Sequence, residues 1–293
     1  MWNRLFSTTN FSRTILDSFP SGIAFAFAYG SGAFQQRGHA DARRNVLDLV
    51  FAVENPIAWH AENIERNARH YSCLKRFGHE TVAAVQERYG AGVYYNTLVS
   101  HRESGRLIKY GVISVGALLR DLTDWDTLYI SGRLHKPVRV LVGGSDAIKR
   151  ALDANLRSAL RVAELCLPNE FTERDLFMQI AGLSFGGDFR MTFGEDRNKV
   201  ANIVDGNFEG FRDLYAPFRE DNFRRESRDE KLEKLPKNVR MQLSQHNGNI
   251  EASVAAIVKQ SSLNQSLKGI LTAGMWKSVI YSGSKLKKMF SSL

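Results

Sequence analysis

Apolar residues in the first part of the chain fall into two short runs separated by a polar loop. Phe25 to Ala28 leads into Tyr29 and the triplet Gly30-Ser31-Gly32, and beyond the loop Val46 to Val53 is apolar at every position but Asp48. Short β-compatible runs bounded by turn residues predict buried strands. The opening unit is thus a strand, a tight turn into a short helix, and a second strand with one carboxylate. Pro56 to Ser72, opened by a proline suited to a first helical turn, predicts a helix, and Glu80 to Arg88 a second. His60 and His70 lie ten residues apart without HExxH spacing, and read as surface or hydrogen-bonding residues rather than zinc ligands. Val93 to Leu98 and Arg106 to Ile113 alternate as strands do, joined by a turn at Glu103-Ser104-Gly105. A short helix follows near Leu118 to Leu122. Strands at Thr127 to Ser131 and Val138 to Val142 then flank a basic turn, Arg133 to Pro137.

The second half changes period. Ala147 to Leu165 carries Leu152, Leu156, Leu160 and Ala163 at helical spacing, and Thr172 caps a helix running to Ala181 with Glu173 and Asp175 in its first turn. LSFGGDFRMTF (183–193) reads as a strand entered through a Gly-Gly turn. Two helices followed by a β-ribbon suggest a helical or winged-helix-like module, and it is not basic enough to read as a DNA binder. Gly143-Gly144-Ser145-Asp146 looks like a second phosphate turn, but Ser145 or Asp146 more simply caps the following helix. Arg219 to Lys237 is densely charged and predicts an exposed or mobile connector. Short helices at Val239 to Gln245 and Asn249 to Gln260 follow. The expected class is α+β: a mixed sheet over 17–146, the helical module over 147–220, a connector with short helices over 221–266, and an amphipathic tail over 267–293.

Charge changes the picture at the C-terminus. The chain's net charge is +9, and from Ala252 onward there are six lysines and no acid, so the tail contributes +6 and everything before it 9 − 6 = +3. An anionic partner is implied, although basicity alone does not separate nucleic acid from acidic lipid. From Leu267 the tail sets Leu271, Met275, Val279 and Leu286 near helical spacing, with Trp276, Tyr281 and Phe290 among Lys268, Lys277, Lys285, Lys287 and Lys288. That composition suits an interfacial amphipathic helix, broken by Gly274 and Gly283, and equally a helix docked on the protein itself. No apolar run approaches the ~20 residues needed to cross a bilayer. Cys73 and Cys166, far apart and outside any CxxC, argue against a disulfide framework or structural zinc and fit a reducing compartment. Residues 1–16 hold Arg4, Arg13, five Ser/Thr and no acid, which fits both a mitochondrial presequence and a plain polar terminus.

Gly30 and Gly32 allow close backbone approach, and Ser31 between them could hold a phosphate against the N-terminus of a following helix. The residues alone fit this and an ordinary strand-turn-helix alike. A P-loop is excluded because no Gly-Lys-Ser/Thr follows Gly30, and a dinucleotide fingerprint because Gln35 stands where a third glycine belongs. What is left resembles the nucleotidyltransferase pattern of a Gly-Ser turn with acidic residues on the adjacent strand.

More specifically, YGSGAFQQ (29–36), LDLVFAVENPIAWHAENIERNARHYS (47–72), YGAGVYYNTL (89–98), LIKYGVIS (107–114), LYISGRLHKPV (128–138), DLFMQIAGLSFGGDFRM (175–191) and SSLNQSLKGILTAG (261–274) resemble, in this order, the mitochondrial CDP-diacylglycerol synthase family. That family is also known as mitochondrial translocator assembly and maintenance proteins. The resemblance implies a nucleotidyltransferase-like core that makes CDP-diacylglycerol and pyrophosphate from CTP and phosphatidic acid, with Mg²⁺, for cardiolipin synthesis. It implies a peripheral protein on the matrix side of the inner mitochondrial membrane, bound to anionic lipids and not to nucleic acid. Gly30, Ser31, Gly32, Lys109, Tyr110, Lys136 and Arg190 would hold the nucleotide. Lys268, Trp276, Lys277, Lys285, Lys287, Lys288 and Phe290 would hold the membrane.

The metal set departs from the superfamily pattern of two carboxylates alternating on one strand. Two residues beyond Asp48 stands Val50, and Glu54, six residues on, is about 20 Å away along a strand. Asp188 in GGDFR is the candidate second carboxylate, with Asp41, Glu195 and Asp196 behind it. Two other functions fit the same residues: a non-catalytic matrix-side assembly factor for protein import, and an RNA-directed nucleotidyltransferase.

Overall fold

The computed structural model describes residues 10–33, 46–101, 105–193, 198–219 and 226–273. The chain divides into two compact units, one of residues 1–118, 138–148 and 264–288, the other of 119–137, 149–263 and 289–293.

The first unit is built on five strands, β1 (Ile23–Tyr29), β2 (Leu47–Val53), β3 (Val93–His101), β4 (Arg106–Ser114) and β5 (Arg139–Val142). Their order is β3-β4-β2-β1-β5. The β2–β4 pair is parallel and the others are antiparallel, so the sheet is mixed. The expected α+β class holds. On one face Ala26, Ala28, Leu49, Phe51, Ile108 and Val112 pack under Ile15 of α1 (Asn10–Asp17), Phe19, and Trp59 of α2 (Pro56–Asn67). Phe19 meets Phe51 and Tyr110 edge to face, with ring centres 4.9 and 4.8 Å apart, and apolar burial of this kind drives folding at about 25 cal/mol per Å². Ile15 lies in the stretch that fits both a presequence and a plain polar terminus, and here it belongs to the core. The helix α2 starts where expected because Asn55 accepts the Ala58 N–H at 3.1 Å and Pro56 occupies the first turn.

Beneath α2 and α3 (His79–Arg88) runs a buried polar network. His60 bonds Tyr71 at 2.7 Å and Gln86 at 2.9 Å, Asn63 donates to Tyr71 and Tyr110, and His70 meets the Tyr110 hydroxyl at 3.1 Å. Both histidines are hydrogen-bonding residues, and burial holds His60 down to about 4, so it is neutral.

The second unit corrects several expectations. Thr127 to Ser131, between α4 (Val115–Asp124) and the one-turn α5 (Ser131–Leu134), is no strand. Its N–H groups at Thr127, Leu128, Ile130 and Ser131 all donate to the carboxylate of Asp121 at 2.8 to 3.0 Å, with Leu128 in the left-handed region at φ 53°. Backbone donors claimed by one side chain are lost to a strand ladder. Nor is 183–193 a strand. It turns through Phe185 N–H to Gly182 O at 2.9 Å and Asp188 N–H to Phe185 O at 3.1 Å, then enters a single helical turn at Arg190–Phe193. The described residues of this unit contain no strand, so the winged-helix-like ribbon is absent among them.

Its helices are those of the apolar spacing: α6 (Asp146–Cys166), capped by Ser145, and α7 (Glu173–Gly182), closed by a Thr172–Asp175 capping box. The turn at Arg190–Phe193 is α8, and α9 (Lys199–Gly206) follows it. In α10 (Phe208–Arg219), Phe211 stacks on Phe177 at 5.3 Å. The charged connector is in part ordered. Glu226 binds Arg161 at 3.0 Å and Lys234 at 2.7 Å, and Ser227 caps α11 (Arg228–Glu233); residues 220–225 lie outside the described range. The short helix expected near Val239 is α12 (Lys237–Gln245). The last helix among the described residues, α13 (Ile250–Ala273), runs without a break through the expected boundary at 267.

Candidate nucleotide-binding site

On the sheet face opposite the α1–α2 core, four neighbouring strands each present one polar or small residue. Tyr29 on β1 pairs in register with Asp48 on β2, Asp48 with Lys109 on β4, and Tyr95 on β3 with Gly111 on β4. The Lys109 ammonium stands 3.6 Å from a carboxylate oxygen of Asp48 and 4.7 Å from the centre of the Tyr95 ring. The Tyr95 and Tyr29 hydroxyls are 3.4 Å apart. Both charged side chains keep some access to water, at 17% for Lys109 and 26% for Asp48.

The Gly-Ser-Gly turn opens directly beside this row. Gly30 has φ +74°, a left-handed conformation that β-carbon crowding disfavours, and a Cβ there would lie 3.6 Å from Asp48 Oδ2. Gly32 is a glycine for a different reason: a Cβ would run into the Val46 carbonyl oxygen, so the turn lies flat on the start of β2. The Ala33 N–H closes the turn on Gly30 O at 3.0 Å, and Arg106 Nη2 donates to Gly32 O at 3.1 Å. Ser31 is left exposed at the apex. The short helix expected after the turn, and Asp41, lie outside the described residues.

Other predicted site residues are placed differently. Tyr110, next to Lys109 in sequence, points to the opposite face, where it is fully buried and accepts from Asn63 at 2.9 Å. It cannot serve the same face as Lys109, because successive side chains of a strand alternate.

Lys136, Asp188 and Arg190 belong to the helical unit. Lys136 donates to Gly132 O at 2.6 Å and Ser184 Oγ at 2.8 Å, with its ammonium 4.9 Å from the Phe185 ring. Burial, followed by the charges of Arg133 and Lys199, lowers it to about 7. Gly132 permits this, since a Cβ there would strike Ser184. Asp188 is 5% exposed and engages both oxygens with Arg190, whose Nη2 lies at 2.6 Å and Nε at 3.0 Å. Among the described residues no group of three or more His, Cys, Asp or Glu converges to hold a metal ion. Glu195 and Asp196 lie outside them.

Lys268, expected at a lipid surface, is 3% exposed and donates to Gln86 O at 3.0 Å, in the last turn of α3, and to Tyr89 O at 2.8 Å, just beyond it. Gln265 joins it, accepting from Ala91 N–H and donating to Val93 O. Trp276, Lys277, Lys285, Lys287, Lys288 and Phe290 lie outside the described residues.

A sequence profile described as mitochondrial phosphatidate cytidylyltransferase matches residues 12–246 and 220–288. The chain belongs to that family. A Xenopus laevis protein of that name is 46% identical over 96% of this chain and 95% of its own length. A Bos taurus relative of the same name is 44% identical over 95% and 94%, and a Drosophila melanogaster one 40% over 95% and 98%. The profile spans the Gly-Ser-Gly turn, Asp48 and Lys109 together with Lys136, Asp188 and Arg190, so both sets lie within the shared sequence. Tyr29, Tyr95, Arg106 and Ser184 are the residues that the sequence alone did not single out. The signal for Tyr95 was the glycine in the middle of β4, which a strand interior disfavours.

Proposed function

We propose that this chain is a phosphatidate cytidylyltransferase. A phosphate oxygen of phosphatidic acid attacks the α-phosphorus of CTP and forms a new P–O bond. The bond from that phosphorus to the bridging oxygen breaks, and pyrophosphate departs with the electron pair, leaving CDP-diacylglycerol. The observation that carries the reading is family membership over nearly the whole chain, joined to a glycine-rich turn set against a carboxylate and a lysine.

The geometry of the sheet unit suits such a reaction, in which positioning and charge matter more than covalent help. The nucleophile is a phosphate monoester, largely ionised near neutral pH, so no general base is required. The buried histidines fit that economy, since burial holds His135 near 3 and His60 near 4, each inside a packed network. Ser31 and the turn hold phosphate oxygens, while Arg106 keeps the turn on β2. Lys109 adds a positive charge that can move from Asp48 to an arriving phosphate. Lys136 of the helical unit is assigned to phosphate oxygens on the same ground of charge, and Arg190 is held ready by Asp188.

Mg²⁺ fits this donor set: it commonly takes one or two carboxylates with substrate phosphates. Asp48, partly open to water beside Gly30, is the carboxylate that would hold it, and the ion would supply charge neutralisation for the leaving pyrophosphate. Asp188 is a weaker candidate, because both its oxygens face Arg190.

Phosphatidate resides in a bilayer, and no helix among the described residues is long and apolar enough to cross one. We assign peripheral attachment, on the matrix side of the inner mitochondrial membrane, to the lysines and aromatics beyond 274.

The test is to offer radiolabelled CTP with phosphatidate vesicles or with RNA. Label entering a lipid-extractable product, with release of pyrophosphate, is expected. Label in RNA, or none in either, overturns the reading.

A further inference from the structure

We propose that Tyr95 is the positioning residue that aims Lys109 at the incoming nucleotide triphosphate, and that Gly111 is a glycine so that the Tyr95 ring can cross its strand to do so. The inference rests on the cytidylyltransferase reading of the sheet-unit site.

Lysine is a flexible side chain with about 2 kcal/mol of rotamer entropy to lose. A partly solvated ion pair at 3.6 Å contributes little on its own, so Asp48 alone does not fix Lys109. A further contact is the face of Tyr95, 4.7 Å from the ammonium, within the distance at which a ring attracts a cation.

That ring reaches Lys109 only by lying across β4. Tyr95 and Gly111 are in-register partners, and a Cβ on Gly111 would stand 2.7 Å from Tyr95 Cε1, 2.9 Å from its Cζ and 2.8 Å from Val93 Cγ2. No side chain fits there unless the ring moves. Glycine inside a strand is unfavourable by roughly 0.5–1 kcal/mol relative to alanine, and the ring resting on the bare backbone is the gain that this position shows in return. The far end of Tyr95 is located too, since its hydroxyl meets that of Tyr29 at 3.4 Å. Tyr29 is at once the in-register partner of Asp48 and the residue preceding Gly30. A cycle of contacts thus runs Tyr29–Tyr95–Lys109–Asp48 across four adjacent strands and returns to the phosphate turn. A lysine preorganised in this way meets a phosphate without first losing its freedom, which lowers the KM for the nucleotide more than it changes the chemical step.

The experiment uses the full chain and steady-state kinetics in CTP and in phosphatidate. Tyr95→Leu should raise the CTP KM about tenfold, with the phosphatidate KM unmoved, and Tyr95→Phe should stay within about twofold because the ring is kept. Gly111→Ala should reproduce the Tyr95→Leu defect, and in a Lys109→Ala background neither substitution should cause a further loss. Should Tyr95→Leu fail to fold, Gly111→Ala serves alone, because it displaces the ring without removing it. A wild-type CTP KM in Tyr95→Leu or Gly111→Ala overturns the role of Tyr95, as do losses that multiply with Lys109→Ala. If Lys109→Ala itself leaves CTP kinetics unchanged, the reading of the site falls, and the Tyr95 inference with it.

Discussion

The ammonium of Lys109 lies 3.6 Å from the carboxylate of Asp48, its in-register neighbour on the adjacent parallel strand. Neither residue is buried enough to need the other for folding. A partly exposed pair of this kind contributes at most about 1 kcal/mol, so its placement beside Gly30 points to chemistry rather than stability.

The first prediction follows from that balance. Asp48→Asn should lower kcat by about a thousandfold or more, because the carboxylate would hold the ion on which the leaving group depends. Thermal unfolding should shift little. A large loss of melting temperature with proportionate loss of activity would make Asp48 a folding residue instead.

At the turn, the two kinds of position separate. Ser31 is exposed, so Ser31→Ala should leave the unfolding temperature unchanged and weaken CTP binding several-fold by calorimetry. Gly30 sits at φ +74°, so Gly30→Ala should destabilise by about 1–2 kcal/mol as well. Unaltered CTP affinity in Ser31→Ala would reduce the turn to architecture.

Lys136 carries a pH dependence. Burial, with Arg133 and Lys199 adding to it, brings it to about 7, so it gains its proton as pH falls through neutrality and then favours an anion. CTP affinity of the wild type should rise from about pH 8.5 to about pH 6.5 more steeply than that of Lys136→Met. Equal slopes in the two proteins would remove Lys136 from the phosphate contacts. If the KM for phosphatidate moves and that for CTP does not, Lys136 belongs to the lipid headgroup.

Lys268 gives a stability prediction of definite sign. Burial lowers it to about 7 from an ordinary 10.5. Between these values the unfolded chain binds the extra proton and the folded one does not. Stability therefore rises with pH across that window, and is lost as pH falls toward 7. The melting temperature of the wild type relative to Lys268→Met should increase between about pH 7 and about pH 9.5. A constant difference would mean that the ammonium is not desolvated against the end of α3.

For membrane attachment the informative cut lies beyond the helix, since removing residues from 267 onward would also remove the Lys268 clasp. Deleting 275–293 should abolish flotation with anionic vesicles and activity on bilayer phosphatidate, while CTP binding persists. Each lysine near an anionic surface is worth about 1 kcal/mol, and four are removed. Undiminished flotation would place the membrane contact elsewhere in the chain.

Local pattern was sufficient for much of this protein. The runs around Phe27 and Phe51 read as buried strands and are, and Asn55-Pro56 and Thr172 open helices as their chemistry requires. The Gly-Ser-Gly turn and Asp48 could be picked out as a candidate phosphate site from residues near in sequence, whereas Lys109 entered only through the family resemblance. What failed depended on partners far along the chain or on a turn's own hydrogen bonds. Thr127 to Ser131 has strand composition, yet Asp121 takes its N–H groups. The 183–193 segment looks like a ribbon, yet its backbone closes on itself, and Gly187 lets it press against the backbone at Ala255. Lys268 has the composition of a lipid-facing lysine, yet it turns inward to cap a helix 179 residues earlier in the chain. Tyr95 gained its place only when the sheet set it over Gly111. Sequence determines which segments are apolar and where they turn; the tertiary structure decides which distant donor meets which acceptor, because a hydrogen bond or a ring contact is satisfied in space and leaves no period in the chain.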